Sequence, residues 1–231
     1  MAPDVVHRTL DGTRFRLAGG LDLGQPATST AELTVHGRLH EFTAGVRTLA
    51  EDVARALGIA RFDDELDYRG GRFLAATRKT YDAQTRMVEN LLIAAWQGEL
   101  GSLVTRLYDA TAADALALFH ALALGETTEG VTLAPDETAG ARFARPATLT
   151  KQVPGIGLLE LTVPTREHTS RLPSWQGVTV PAGELFRDTL SDGSPYFVLA
   201  GRDTWASLVP LADTDLTALP DVAGRLRIER L

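Results

Sequence analysis

The stretch of residues 72–108 decides the fold. It comprises RFLAATRKTY at 72–81, MVENLLIAAWQ at 87–97 and LGSLVTRLY at 100–108. Each run is rich in residues that favour strands, and polar steps at 82–85 and 98–99 separate the runs. The pattern therefore predicts a three-stranded antiparallel meander. A helical interpretation of residues 85–110 competes with it, because Leu91, Leu92 and Trp96 could share one face of a helix.

Two flanking segments have the apolar spacing of helices. Residues 43–57 place apolar side chains three and four positions apart, and Gly58 follows where a glycine commonly ends a helix. Residues 111–124 begin with Thr111, whose hydroxyl can cap a helix, and Asp114 stands three positions later as in a capping box. We predict one helix in each segment.

The remaining sequence favours strands. Residues 13–23 and 28–39 are predicted as two strands before the first helix, and the polar, turn-rich segment 135–140 is the predicted linker. Short strand-like runs follow at 157–163, 177–181, 196–200, 204–208 and 226–231. We therefore predict an α+β protein with two domains. Residues 1–135 would form an antiparallel sheet with two packed helices, and residues 141–231 a mostly-β region, either a small barrel or a sandwich.

Composition excludes several classes of function. The 231 residues carry a net charge of −7 and include no cysteine, so thiol nucleophiles, disulfide scaffolds and Cys-based zinc sites are excluded. The acidic balance disfavours nucleic acid and anionic membranes as partners, because binding them needs a surplus of cations. No apolar run approaches the roughly 18 residues that a membrane span requires, so we expect a cytoplasmic protein.

His36 and His40 are the candidate metal ligands. Their spacing in VHGRLHE (35–41) would place two imidazoles on one face of a helix, as zinc sites do. Gly37 and the strand-like surroundings argue against that helix, and no third ligand is obvious. The alternative to metal binding is that both histidines lie at an exposed strand end. We expect no cofactor, because the sequence contains neither a complete dinucleotide fingerprint nor a phosphate-binding loop.

Carboxylates and one further histidine are the candidate catalytic groups. The densest acidic cluster comprises Asp63, Asp64, Glu65 and Asp67. Together with His36 or His40 it could serve a hydrolase or a nucleic-acid-processing enzyme. His168 lies between an acid and a hydroxyl residue and is the candidate general base. Alternatively, the acidic cluster is a solvated turn and His168 is a surface histidine without a catalytic role.

Basic residues cluster in and around the first meander strand, interleaved with the aromatics Phe73 and Tyr81; they are Arg69, Arg72, Arg78, Lys79 and Arg86. A face that combines them could contact single-stranded nucleic acid. However, Arg72 and Arg78 point to one side of a strand while Lys79 points to the other. An ordinary polar sheet face is the favoured interpretation.

The lack of a catalytic signature leads us to expect a non-enzymatic binding or assembly module. It would contact a protein partner or another copy of itself through the β-rich C-terminal half. The candidate contact residues are the aromatics Trp175, Tyr196, Phe197 and Trp205, for which a place in the core is the alternative. An enzyme with the carboxylate and histidine groups above, and a small-ligand carrier with a cavity beneath the second helix, are the competing hypotheses.

Overall fold

The structure is a computed structural model and describes residues 3–82, 86–212 and 214–231. Its strands are β1 (Val5–Arg8), β2 (Arg14–Ala18), β3 (Ala27–Val35), β4 (Arg38–Val46), β5 (Asp64–Tyr68), β6 (Gly71–Asp82), β7 (Met87–Gln97), β8 (Gly101–Tyr108), β9 (Leu122–Thr127), β10 (Gly130–Pro135), β11 (Arg142–Phe143), β12 (Thr148–Val153), β13 (Gly157–Thr162), β14 (Val178–Val180), β15 (Gly183–Thr189), β16 (Pro195–Ala200), β17 (Trp205–Val209) and β18 (Arg227–Arg230). Its helices are α1 (Leu49–Ala56), α2 (Ala112–His120), α3 (Arg166–Ser170) and α4 (Leu219–Ala223), with a 3₁₀ turn at Glu137–Ala139. Among the residues described, none of these helices is long and apolar enough to cross a membrane.

The prediction of an α+β fold with two packed N-terminal helices is wrong. Strands account for 50% of the protein and helices for 13%, and the strands form large antiparallel sheets. Helical periodicity is a local signal, whereas the pairing of strands depends on partners far away in sequence. The balance between helix and strand therefore follows from long-range pairing that a local pattern does not show.

Both predicted helices are shorter than their apolar pattern. Residues 43–46 belong to β4, where they pair with β8, so α1 begins only at Leu49. At the other segment α2 ends at His120, because Leu122 starts the β9–β10 hairpin. The predicted capping box is confirmed: Thr111 accepts the Asp114 N–H and Asp114 accepts the Thr111 N–H. Strand pairing therefore shortens both predicted helices, α1 at its start and α2 at its end.

The predicted meander is confirmed. β6, β7 and β8 pair antiparallel in sequence order, in close agreement with the predicted bounds. The helical interpretation of residues 85–110 is wrong, since β7 and β8 occupy that range. The predicted turn at 82–85 falls largely on residues 83–85, which lie outside the described residues.

The chain divides into two compact units. The first, which we call the meander unit, comprises Leu10–Gly12 and Ser29–Arg145. Its strands run in the order β3-β4-β8-β7-β6-β5, with β11 on β3 and β9 paired with β10. α1 covers a cluster of Ala50, Leu74, Ile93, Ala95 and Val104. α2 is anchored by Phe119, whose ring meets Phe42 and Phe73 edge-on at 5.9 and 5.5 Å between centroids.

The second unit, which we call the terminal unit, comprises Met1–Thr9, Thr13–Thr28 and Pro146–Leu231. Its strands run in the order β14-β15-β16-β17-β13-β12, beside a three-stranded sheet β1-β2-β18. Both sheets contribute to one apolar core, which includes Phe15, Leu17, Leu161 and Phe197. The domain bounds 1–135 and 141–231 stay a prediction.

Candidate functional site

His36 and His40 lie at the end of the β3–β4 hairpin. His36 and Gly37 form its two-residue turn between the paired residues Val35 and Arg38, and both have positive φ, 49° and 77°. His36 is exposed and His40 is half-buried. Burial lowers the pKa of His40, and the charges of Arg38 and His36 lower it further. The described part of the chain contains no group of three His, Asp or Glu side chains placed to hold a metal, so this pair has no third ligand there.

The acidic cluster lies at the far edge of the same unit. Three of its members are exposed on β5, where Glu65 pairs with Arg72 at 3.2 Å. The Asp63 carboxylate, just before β5, accepts the Thr77 N–H at 3.1 Å. Four strand spacings of about 4.8 Å each separate β5 from β4 along the sheet. The structure therefore does not bring the acids together with His36 and His40.

His168 has a local structural role. It is the third residue of α3, its Nδ1 accepts the Thr165 N–H at 3.1 Å, and its ring stacks on Trp205. Burial lowers the pKa of His168, an effect that Glu167 opposes and Arg171 reinforces. One of its two ring nitrogens, Nδ1, is thus engaged in capping the helix.

The four predicted contact aromatics differ in exposure. Phe197 is buried in the core of the terminal unit, and Trp205 is buried in a small cluster with Phe186 and Val198. Tyr196 is half-buried and donates its hydroxyl to Asp188 at 3.1 Å. Trp175 is 55% exposed. Of the four, Trp175 has the largest share of its surface available to a partner.

A two-stranded ribbon is the most exposed apolar feature of the meander unit. It consists of residues 78–82 of β6 and 87–90 of β7, and we call it the ribbon. β5 pairs with β6 only up to Ala75, and β8 pairs with β7 only from Leu91, so no third strand pairs with the ribbon within the described residues. At its base, the Asn90 carbonyl accepts the Asp109 N–H at 2.9 Å. Tyr81 and Val88 face each other across the ribbon, 62% and 60% exposed, and Met87 is 63% exposed.

Beyond Ala75, the outer edge of β6 carries backbone groups with no partner strand in the part of the chain that the structure describes. Thr77 donates its N–H to Asp63, on the β5 side, and so turns away from β7. Since strand residues alternate, Lys79 and Tyr81 turn their backbone groups the same way. Such an edge is a template for a further strand. The sequence predicted both strands but not the ribbon. The feature that could have indicated the ribbon is the length of β6 and β7, which are longer than the neighbouring strands β5 and β8.

A cavity of about 430 Å³ lies beside α1 in the same unit. Its apolar wall includes Ile59, Phe62 and Leu74, and Glu51 and Arg61 are among its polar residues. Glu51 lies on the predicted helix 43–57, but the helical pattern identified the apolar face and gave no sign of a cavity. The cavity lies beside α1, whereas the carrier hypothesis placed one beneath the second helix.

No family model matches this chain, and comparison with the curated proteins and with the solved structures gives no match. The function is therefore argued from the geometry of the described residues.

Proposed function

We propose that this chain is a non-enzymatic assembly module that associates with a second copy of itself through the ribbon. The observation that supports it is the cross-strand pair of Tyr81 and Val88, which exposes two large apolar side chains on one face of a ribbon. A single exposed apolar residue needs no explanation, but a paired aromatic and branched residue beside an open edge is typical of a contact surface.

The open edge supports a second copy as the partner. A two-fold axis at position 80 would set two β6 edges antiparallel, with Lys79 of one copy opposite Tyr81 of the other. That register lets the outward backbone groups of Lys79 and Tyr81 bond across the interface. It also places a cation against an aromatic ring, which is a favourable contact.

Charge around the edge also favours self-association. The ribbon carries Lys79 and, in the adjoining turn, Arg86, both exposed. β5 borders the same side of β6 with three exposed acids. Residues 78–82 and 86–90 carry three cations, Arg78, Lys79 and Arg86, against two acids, Asp82 and Glu89. Two copies in antiparallel arrangement bring this net positive ribbon of each toward the acidic strand of the other, so the net charges are complementary. The proposal keeps the expected protein partner and cytoplasmic location, and it requires neither nucleic acid nor a membrane.

Sedimentation velocity over a wide concentration range tests this proposal. We expect the wild-type chain to dimerise, and the double variant Tyr81→Ser, Val88→Ser to raise the dissociation constant at least about tenfold, which corresponds to roughly 1.4 kcal/mol. Leu39→Ser is the matched control, since Leu39 is 60% exposed on β4, away from the ribbon.

A wild-type chain that stays monomeric at every concentration would overturn the proposal. So would a dimer that persists in the ribbon variant. If Trp175→Ala disrupts that dimer instead, the contact lies on the surface predicted from sequence in the terminal unit. Circular dichroism of each variant checks that the fold is retained.

A further inference from the structure

β1 is an outer strand of the terminal unit. In the described part of the chain it pairs only with β2, through four residue pairs from Val5 and Leu17 to Arg8 and Arg14. All four residues of β1 are half-buried. β2 is held independently of β1, because β18 pairs with its other side and its residues Phe15 and Leu17 are fully buried. β1 can therefore leave β2 while β2 stays in the core.

His7 points from β1 into that core. Val5 packs against the core, and His7, two positions later, lies on the same side of the strand. Opposite them on β2 are Leu17 and Phe15, whose side chains offer the imidazole neither a charge nor a hydrogen bond. The His7 Nε2 atom is buried and has no hydrogen-bond partner among the described residues. The docked strand therefore holds the ring in surroundings that favour its neutral form.

Lys151 of β12 is the charged group that acts on His7 from across the core. It lies between two core residues of its strand and is 1% exposed. Its Nζ donates to the Gln25 carbonyl, and the charge of Asp22 favours its protonated form. A proton on His7 would therefore add a second cation to a core that already holds one.

The other charged residues of the three-stranded sheet lie away from His7. Strand alternation places Arg8, Arg14 and Arg16 on the opposite side of the sheet, where Arg16 pairs with Glu229 at 2.8 Å. Arg230, which pairs with Phe15 at the end of β18, is exposed to solvent. Burial of the ring, with a smaller contribution from Lys151, thus lowers the pKa of His7 from 6.5 to about 4.

We infer that β1 is an acid-released strand: protonation of His7 detaches it from β2 while the rest of the terminal unit stays folded. Release moves the charged imidazole into water, away from Lys151, and uncovers the backbone edge of β2. Raising the pH restores the neutral ring, so the strand docks again. This inference is independent of the ribbon and of self-association.

Amide hydrogen exchange at pH 7.5 and pH 5, expressed as protection factors, tests this inference. The docking energy due to the neutral ring is fully present above pH 6.5, and docking weakens up to tenfold for each pH unit below it. We expect the protection of β1 to fall at least about tenfold between the two pH values. At pH 5 it should lie at least about a hundredfold below the protection of β16 and β17. Low urea should leave the β1 rates unchanged, because release exposes little surface, whereas it should speed exchange in β16 and β17.

Three variants assign the effect. His7→Phe should abolish the fall in β1 protection, whereas His168→Gln, which removes another histidine of the same unit and keeps a capping acceptor, should leave it unchanged. The chain has no cysteine, so Val6→Cys with Arg16→Cys, directly opposite each other on the outer side of β1 and β2, introduces a single disulfide. In the oxidised form, β1 protection should rise to the level of β16 and β17, and reduction should reverse the rise.

Four results would overturn the inference. In the wild type they are a β1 that is unprotected even at pH 7.5, and a β1 with the same protection and urea response as β16 and β17. The second of these would mean that His7 acts on global unfolding alone. The others are an equal fall in β1 protection in a folded His7→Phe variant, and β1 protection that the disulfide leaves unchanged.

Discussion

The imidazole of His168 lies stacked on the indole of Trp205, with ring centroids 4.8 Å apart and an angle of 8° between the planes. The same imidazole accepts the Thr165 N–H at Nδ1, and the Thr165 hydroxyl accepts the His168 N–H at 3.3 Å. These two bonds form a capping box at the start of α3. Because Nδ1 acts as an acceptor, the box requires the neutral ring.

Lowering the pH should therefore weaken this capping box. Burial lowers the pKa of His168 below its ordinary value of 6.5, so the unfolded ring takes up a proton at a higher pH than the folded ring. The stability contributed by the neutral ring is present above pH 6.5 and is lost as the pH falls through that value toward the lower folded pKa. His168→Gln keeps an acceptor at this position and should remove the effect.

Urea unfolding between about pH 7.5 and pH 5 checks this prediction. His168→Ala, which removes both the cap and the stack, should lose about 1 kcal/mol at the upper end of that range. Arg202→Gln, at an exposed position in the turn between β16 and β17, is the control and should behave like the wild type. Equal pH dependence in the wild type and His168→Gln would contradict the assignment.

His7 should make the terminal unit sensitive to acid. Its Nε2 is buried and has no hydrogen-bond partner among the described residues. Burial, with a smaller contribution from the charge of Lys151, lowers the pKa of His7 from 6.5 to about 4. Lys151 is itself 1% exposed on β12 and donates its Nζ to the Gln25 carbonyl. A protonated His7 would thus add a second positive charge beside a buried one.

Stability should fall as the pH drops from 6.5 toward 4, since the unfolded chain binds the His7 proton first. The expected loss is about 2 kcal/mol, below the full linkage value because the ring is partly exposed. His7→Phe removes both the titrating group and the orphaned nitrogen, so its urea-unfolding free energy should change less over this interval. A wild type and a His7→Phe variant with parallel pH profiles would show that His7 is not responsible.

Glu126 holds the β7–β8 turn in place. Its carboxylate accepts the backbone N–H groups of Glu99, Leu100 and Gly101 at 2.9 to 3.1 Å. Burial alone would raise the pKa of Glu126, but these three hydrogen bonds together lower it. A Cβ at Gly98 would lie 2.4 Å from Oε2, so the turn needs glycine at that position for the carboxylate to fit.

Glu126→Gln should destabilise the protein by about 1–2 kcal/mol, because the amide group loses the charge and turns a donor toward other donors. Glu137→Gln, an exposed carboxylate on the 3₁₀ turn, should change stability by less than about 0.5 kcal/mol. Urea midpoints of the two variants give the comparison. A Glu126→Gln midpoint equal to that of the wild type would refute a stabilising role for these bonds.

Local patterns predicted local structure well. The meander β6–β8 and the capping box of Thr111 and Asp114 depend on residues close in sequence, and both are confirmed. Residues 43–46 show the limit of such patterns. Their apolar spacing suits a helix, yet pairing of β4 with β8 places them in a strand, and that partner lies more than fifty residues away.

The candidate sites depended on the tertiary structure for the same reason. The sequence by itself determined that cysteine chemistry is excluded and where α2 begins, and it favoured strands over a helix within residues 72–108. Only the tertiary structure decided that the protein is mostly β, that β5 and β8 stop short of the ribbon, and that Glu51 and Arg61 line one cavity. Periodicity reports which way a side chain points along its own element. Whether a side chain is exposed, and which other side chains lie near it, depends instead on the elements that pack against its own element. Those elements come from distant parts of the chain.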